Sequence, residues 1–276
     1  MIKKAGIIAN PDKKAALMYQ KKIKKFLEER NIRVYTDREA SREEIARMVD
    51  LIITLGGDGT LLNVAKYISN KVIILGVNLG AFGFLTDIKK SEVYSALKSI
   101  LENKYSVSKR SMLKAGVYRS GKLIKSLICL NDMVINKGSL SRILTLSVMT
   151  KGENLATYLC DGLIISTATG STAHSLSAGG PIVSPELDVS ILTPICPHTL
   201  SNRPLVLPSS REVSVKIDGK EAQDVTLTAD GQVAVKLKAC DLIKVKKAAV
   251  SARLVNSSKR DYFQILQEKL KWGKPR

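Results

Sequence analysis

At 276 residues, with 45% hydrophobic and 25% charged residues, the chain is long enough for two domains with separate cores and has the composition of a globular protein. No apolar run reaches the roughly 18–20 residues that span a bilayer, and Ala5 to Ala9 is too short for a secretory signal, so a cytoplasmic protein without membrane association is predicted. The formal charge of +19 favours anionic ligands, yet aromatics are only 5% and no nucleic-acid-binding pattern occurs, which argues against a nucleic-acid partner.

The first hundred residues alternate strand-like and helix-like segments. Lys4–Ala9 reads as a strand ending at the Asn10-Pro11 turn, and Lys13–Arg30 as a helix with Leu17, Ile23, Phe26 and Leu27 near one face. Arg33–Tyr35 is a short strand, and Ser41–Met48 a helix opened by the capping pattern Ser41-Arg42-Glu43-Glu44. Leu51–Leu55 and Val72–Val77 are nearly unbroken apolar runs, as strands buried on both faces of a parallel sheet should be. Residues 1–105 are therefore predicted to form a doubly wound α/β domain.

After residue 105 the pattern turns to strands. Leu113–Tyr118, Leu123–Ile135 and Ile143–Lys151 are strand-like, and Val213–Ile217 and Val233–Lys238 alternate strictly, as half-exposed antiparallel strands do. Residues 106–255 are predicted to be a β-rich second domain. Residues 256–276 contain the amphipathic segment Asp261–Leu270, predicted to return as a helix to the first domain.

The four cysteines, Cys129, Cys160, Cys196 and Cys240, form no C-x-x-C pair, and only His174 and His198 could join them as metal ligands. They read as isolated buried thiols of a reducing compartment.

Leu51–Leu55 runs into Gly56-Gly57-Asp58-Gly59-Thr60 and then into the helical Leu61–Ile68. Three glycines permit positive φ and close backbone approach, and a strand-to-helix junction suits a phosphate. Asp58 among phosphate-binding amides points to holding a divalent ion or accepting a proton from an attacking hydroxyl, the alternative being a helix cap. No Walker motif, G-x-G-x-x-G or G-x-S-x-G elbow occurs. In the second domain, Asn131-Asp132 interrupts an apolar strand, and burying such a pair is costly unless it is hydrogen-bonded, either to ribose hydroxyls or within an internal network. Adjacent strand residues point to opposite faces, so both can serve one ligand only at a strand end or bulge. Asp161-Gly162 leads through Ser166 and Thr167 into a small-residue stretch, Ala168 to Pro181, that could lie flat against a planar ring or form a capped helix with a glycine stop.

Taken together, the glycine turn, Asn131-Asp132, Asp161 with the Thr-x-Thr-Gly-Ser-Thr-Ala stretch, Ser201-Asn202-Arg203-Pro204 and Asp230-Gly231-Gln232 resemble, in order, the motifs of NAD kinases. The likeness runs from Asn10-Pro11-Asp12-Lys13 to Trp272-Gly273. It implies an α/β domain, a β-sandwich domain and a C-terminal segment returning to the first, in an enzyme that phosphorylates the 2′-hydroxyl on the adenosine side of NAD to give NADP. By position it implies Asp58 as base, Gly56, Gly57, Gly59 and Thr60 near phosphate, and Phe84 beside adenine. It further implies Asn131 and Asp132 on ribose, Arg142 as a substrate-contacting cation, and Asp161, Thr172, Ala173, His174, Ser177 and Gln232 as the rest of the NAD wall. ATP or polyphosphate is the implied donor, with a divalent metal such as Mg2+, in a homo-oligomer (dimer or tetramer). Three positions depart from the family's habit: Ala168 for proline, His174 for tyrosine, Asp132 for glutamate. Gly-Gly-Asp-Gly alone is shared with diacylglycerol-kinase-like lipid kinases, so a lipid kinase and a non-catalytic dinucleotide-binding regulator are the rival readings.

Overall fold

The computed structural model describes residues 2–80, 83–138, 142–199, 201–218 and 224–273. The chain forms two compact units, residues 1–109 with 250–276, and residues 110–249. The crossings thus fall at 109/110 and 249/250, where the sequence reading puts them at 105/106 and 255/256.

Unit 1 opens with β1 (Lys4–Ala9), α1 (Lys14–Glu28), β2 (Arg33–Thr36), α2 (Arg42–Met48), β3 (Leu51–Gly56), α3 (Asp58–Ala65), β4 (Ile73–Asn78), the two-residue β5 (Ile88–Lys89) and α4 (Val93–Leu101). The strands run in the order β4-β3-β1-β2, all parallel. Every residue of β3 and β4 is buried, which is what their unbroken apolar runs require. Leu51, Ile52 and Ile53 are each fully enclosed, and a side chain of that size contributes about 1.5–3 kcal/mol when taken out of water. Ser41 and Glu44 close the capping box expected at the start of α2. In α1, Ile23 and Leu27 are fully buried, and the buried Gln20 is satisfied by the Ile7 carbonyl and Asp37. Lys21, Lys22 and Lys25 on the same helix are exposed, as a solvated basic face should be.

Unit 2 is built from antiparallel strands: β6 (Val107–Arg119), β7 (Lys122–Cys129), β8 (Asp132–Asn136), β9 (Leu144–Thr150), β10 (Glu153–Cys160), β11 (Gly162–Thr167), β12 (Val189–Ile195), β13 (Leu205–Pro208), β14 (Val213–Asp218), β15 (Thr226–Ala229), β16 (Val233–Lys236) and β17 (Leu242–Val255). One sheet has the order β13-β12-β11-β8-β15-β16. In the other, β9 lies between β10 and β14, β14 pairs with the Leu242–Val245 end of β17, and β6 pairs with β7. Leu146, Val148, Val215 and Ile243 from one sheet join Met133, Ile135, Leu163 and Leu227 from the other in one core, a β-sandwich. Between β11 and β12 lie a 3-10 turn, Thr169–Thr172, and the one-turn helix α5, His174–Ser177.

The continuous strand expected from Leu123 to Ile135 is in fact two. β7 ends at Cys129 and β8 starts at Asp132 in the opposite sheet, so the chain turns at Leu130-Asn131. The expectation of four buried thiols also needs correction. Cys129 and Cys160 are buried, and burial pushes the Cys160 thiol up to about 11. Cys196 and Cys240, by contrast, sit on exposed turns with positive φ.

The returning segment completes unit 1. Arg253 and Leu254 of β17 pair in parallel with Ile73 and Ile74. The last helix, α6 (Tyr262–Leu270), is opened by an Asp261–Gln264 capping box and buries Ile265 and Leu266. Arg260 ties its start to Glu92 at 2.7 Å and to the Asp87 carbonyl.

Candidate active site

In unit 1 the glycine turn joins the carboxyl end of β3 to α3, the end of a parallel sheet where ligands gather. The turn does not use left-handed backbone. Gly57 is extended (φ −128°, ψ −170°), and Gly56, Gly57 and Gly59 are not among the positive-φ glycines. The glycines serve proximity instead. A Cβ at Gly57 or Gly59 would meet no protein atom within 4 Å, which leaves open backbone that an approaching phosphate can reach. Lys13 adds a cation over Gly80, its Nζ 3.4 Å from where a Cβ would stand; only the Asn-Pro-Asp-Lys likeness pointed to it.

Asp58 is the first residue of α3 and half-buried, and its side chain caps nothing in its own helix. It reaches across to residues 84–86. Oδ2 accepts the Phe84 N–H at 2.8 Å, while Oδ1 accepts the Leu85 and Thr86 N–H groups at 3.1 and 3.0 Å and the Thr86 hydroxyl at 2.9 Å. Thr86 Oγ1 in turn accepts from Asn78 Nδ2 at 3.2 Å. Gly83 makes this approach feasible, since a Cβ there would overlap the Asp58 carboxylate. The same loop presents Phe84, the aromatic assigned to adenine, with Lys269 of α6 5.6 Å from its ring centroid.

In unit 2, Asn131, Asp132 and His174 come together at the Leu130-Asn131-Asp132 corner, whereas Asp161 lies at the other end of the β8–β11 pair. Asp230, at the tip of the β15–β16 hairpin, accepts the Leu130, Asn131 and Asp132 N–H groups at 2.8, 2.7 and 3.2 Å. Thr167 holds the corner from the other side, its hydroxyl on the Leu130 carbonyl and its N–H on that of Asn131. Asn131 Oδ1 is buried without a partner, an acceptor left for a ligand donor. Asp132 is fully buried, and its two oxygens lie 3.1 and 3.2 Å from His174 Nδ1. The imidazole is thus anchored by one nitrogen while its ring is largely exposed, and the Asp132 carboxylate raises its pKa above the ordinary value. Asp132 therefore meets His174 before it meets any ribose.

The other assigned residues are placed as follows. Asp161, between β10 and β11, is paired with Lys137 at 3.1 Å, a cation that spacing did not reveal. Thr172 and Ala173 are half-buried before His174, and Ser177 is exposed on α5. Gln232 is exposed in the hairpin turn, its N–H on the Ala229 carbonyl. Arg142 is exposed just before β9. Asp58, Thr60, Phe84 and the glycines belong to unit 1, and all the other assigned residues to unit 2. Among the described residues no group of three or more His, Cys, Asp or Glu is placed to hold a metal ion, and Asp58 is already engaged by its loop.

The ATP-NAD kinase N-terminal domain model matches residues 36–105, and the ATP-NAD kinase C-terminal domain model residues 130–257. The NAD kinase of Geotalea daltonii is 48% identical over 85% of this chain and 82% of its own, and that of Syntrophotalea carbinolica 43% identical over 99% of each. Among solved structures, yeast NADH kinase complexed with NADH superimposes with a TM-score of 0.87 at 25% identity, over all of this chain and 89% of the other. An NAD kinase from Archaeoglobus fulgidus in complex with ATP gives 0.79 at 25% identity, over 97% and 98%.

Proposed function

The chain belongs to the NAD kinase family, and we propose that it makes NADP from NAD with Asp58 as the base that takes the proton. The observation that carries the catalytic part is the uneven loading of the Asp58 carboxylate. Oδ1 accepts three donors and is saturated, whereas Oδ2 accepts one N–H and keeps a lone pair. Oδ2 is the atom that takes the proton as the 2′-oxygen forms its bond to the γ-phosphorus and the bond to the leaving nucleoside diphosphate breaks. Asn131 Oδ1 accepts from a ribose hydroxyl, and His174 and Phe84 offer flat faces to the rings. Asp161, Thr172, Ala173, Ser177, Gln232 and Arg142 complete the contacts by likeness to the family.

ATP is the proposed donor, in keeping with the ATP-bound Archaeoglobus neighbour. Because the described residues form no metal cage, a divalent cation such as Mg2+ would enter on the triphosphate and neutralise its charge, with the chain contributing few ligands of its own. Free cysteines accord with a cytoplasmic setting, and no described helix is long and apolar enough to cross a membrane. A homo-oligomer is proposed on family likeness and is checked by sedimentation.

The decisive experiment supplies purified protein with NAD, ATP and magnesium and reads NADP through an NADP-specific dehydrogenase. Steady NADP formation is expected. Binding of NAD without NADP from ATP or polyphosphate would overturn the reading in favour of a regulator.

A further inference from the structure

We propose that Asp230 is a positioning residue of the NAD kinase reaction, fixing the backbone corner that carries Asn131 and Asp132 toward the dinucleotide. The proposal deepens the function given above and rests on it.

The corner is a place where the chain leaves one sheet for the other, and nothing in the strand ladders sets its direction. Its three N–H groups converge on one carboxylate, and the Asp230 N–H returns a bond of 3.0 Å to the Asp132 carbonyl. With Thr167 on the carbonyls of Leu130 and Asn131, the N–H and C=O groups on both sides of the corner are held. Asp230 adopts a left-handed conformation (φ 51°) that Asp tolerates better than most residues, immediately before the turn bearing Gln232. One buried side chain therefore sets the relation between the corner and the Gln232 hairpin. Asn131 and Asp132 alternate in direction along an ordinary strand; at this corner Asn131 keeps its Oδ1 free for a ligand donor while Asp132 anchors His174, so the held corner positions both.

The protonation of Asp230 gives the proposal a distinctive signature. Burial above all, and the neighbouring Asp132 charge, push Asp230 up to about 6 against the three N–H bonds, which act the other way. The charged and titratable groups facing it are Asp132, His174 and the buried Cys129. Above about pH 6 the carboxylate accepts all three N–H groups; below it one oxygen carries a proton and becomes a donor. Stability has the opposite sign. A carboxyl raised from 3.8 stabilises the fold fully below the unfolded value, and that contribution is lost as pH rises through about 6. Loss of NAD affinity on acidification therefore cannot be ascribed to Asp230-linked unfolding.

The test compares wild type, Asp230→Asn and His174→Gln between pH 5 and 8 by steady-state kinetics. For Asp230→Asn at pH 7.5 the KM for NAD should rise about tenfold or more, with the KM for ATP within twofold of wild type. Wild-type kcat/KM for NAD should fall below about pH 6; the limb should vanish in Asp230→Asn and persist in His174→Gln. An unchanged KM for NAD, equal losses toward ATP and NAD, or a limb that follows His174 overturns the proposal. If Asp230→Asn gives no cooperative melt, the wild-type and His174→Gln profiles decide alone, and absence of the limb near 6 overturns it. If wild type makes no NADP, the functional reading has failed and amide exchange reads Asp230 separately. Exchange at residues 130–132 should then quicken in Asp230→Asn with that at 84–86 unchanged, and uniform exchange would sink the positioning role.

Discussion

Asp58 and Asp230 make the same construction in different surroundings. Each gathers three consecutive backbone N–H groups, residues 84–86 in unit 1 and residues 130–132 in unit 2, onto one carboxylate. Asp58 is half-buried in a glycine turn and carries a fourth donor, the Thr86 hydroxyl. Asp230 is buried, has Asp132 for a neighbour and rises to about 6. The lesson is that a collar of N–H groups does not define a carboxylate's task. Where the turn is open, a carboxylate oxygen can be reached by a proton donor; where it is enclosed, the group holds other residues in place.

This contrast can be broken by substitution, and the largest effect should come at Asp58. Asp58→Asn keeps the shape and removes the base, so kcat should fall about 10²- to 10⁴-fold while NAD binding, measured by calorimetry, changes little. Near-wild-type turnover would make Asp58 a loop anchor like Asp230. Gly83→Ala should follow, with kcat down about 100-fold, because its Cβ occupies the space of the Asp58 carboxylate and pushes the base aside. Wild-type kcat in a folded Gly83→Ala protein would mean that the Asp58 position does not govern the chemistry.

The counterpart in unit 2 is Gly170→Ala, whose Cβ would strike the backbone of Asn131. A rise of about tenfold in the KM for NAD, with kcat largely kept, is expected there. If Gly83→Ala and Gly170→Ala gave the same kinetic signature, the division between proton acceptor and scaffold would collapse. His174→Tyr sharpens the contrast at small scale. A larger ring without the imidazole's bond to Asp132 should shift NAD affinity by about 2- to 5-fold, in keeping with an aromatic contact of about 1 kcal/mol. No shift in a titration of NAD would assign His174 to structure alone.

Much of this was legible in the sequence, for physical reasons. β3 and β4 are enclosed on both faces and so had to be continuous apolar runs, and the α2 capping box lies within four residues. Asn131-Asp132 stood out because polar pairs rarely interrupt such runs, and the chain does end a strand there. The collars were not legible. Asp58 meets residues 26–28 positions away and Asp230 residues 98–100 positions away, and no local pattern encodes which carboxylate finds which amides. Nor did spacing alone mark β12, which contains Pro194, a residue seldom found inside a sheet. It is accommodated two positions past the last β12–β13 pair, at Leu192.

The discontinuity of unit 1 has a consequence for biosynthesis. Unit 2 is one uninterrupted stretch, whereas β4 receives its partner residues, Arg253 and Leu254, only after all of unit 2 has been made. On the ribosome the sandwich can close while the α/β unit still has an open edge beside Ile73 and Ile74. That edge is the exposed, pairing-competent strand that invites association between nascent chains. Synthesis of residues 250 onward, through α6 and its Arg260–Glu92 bridge, is therefore the step that covers this edge of β4.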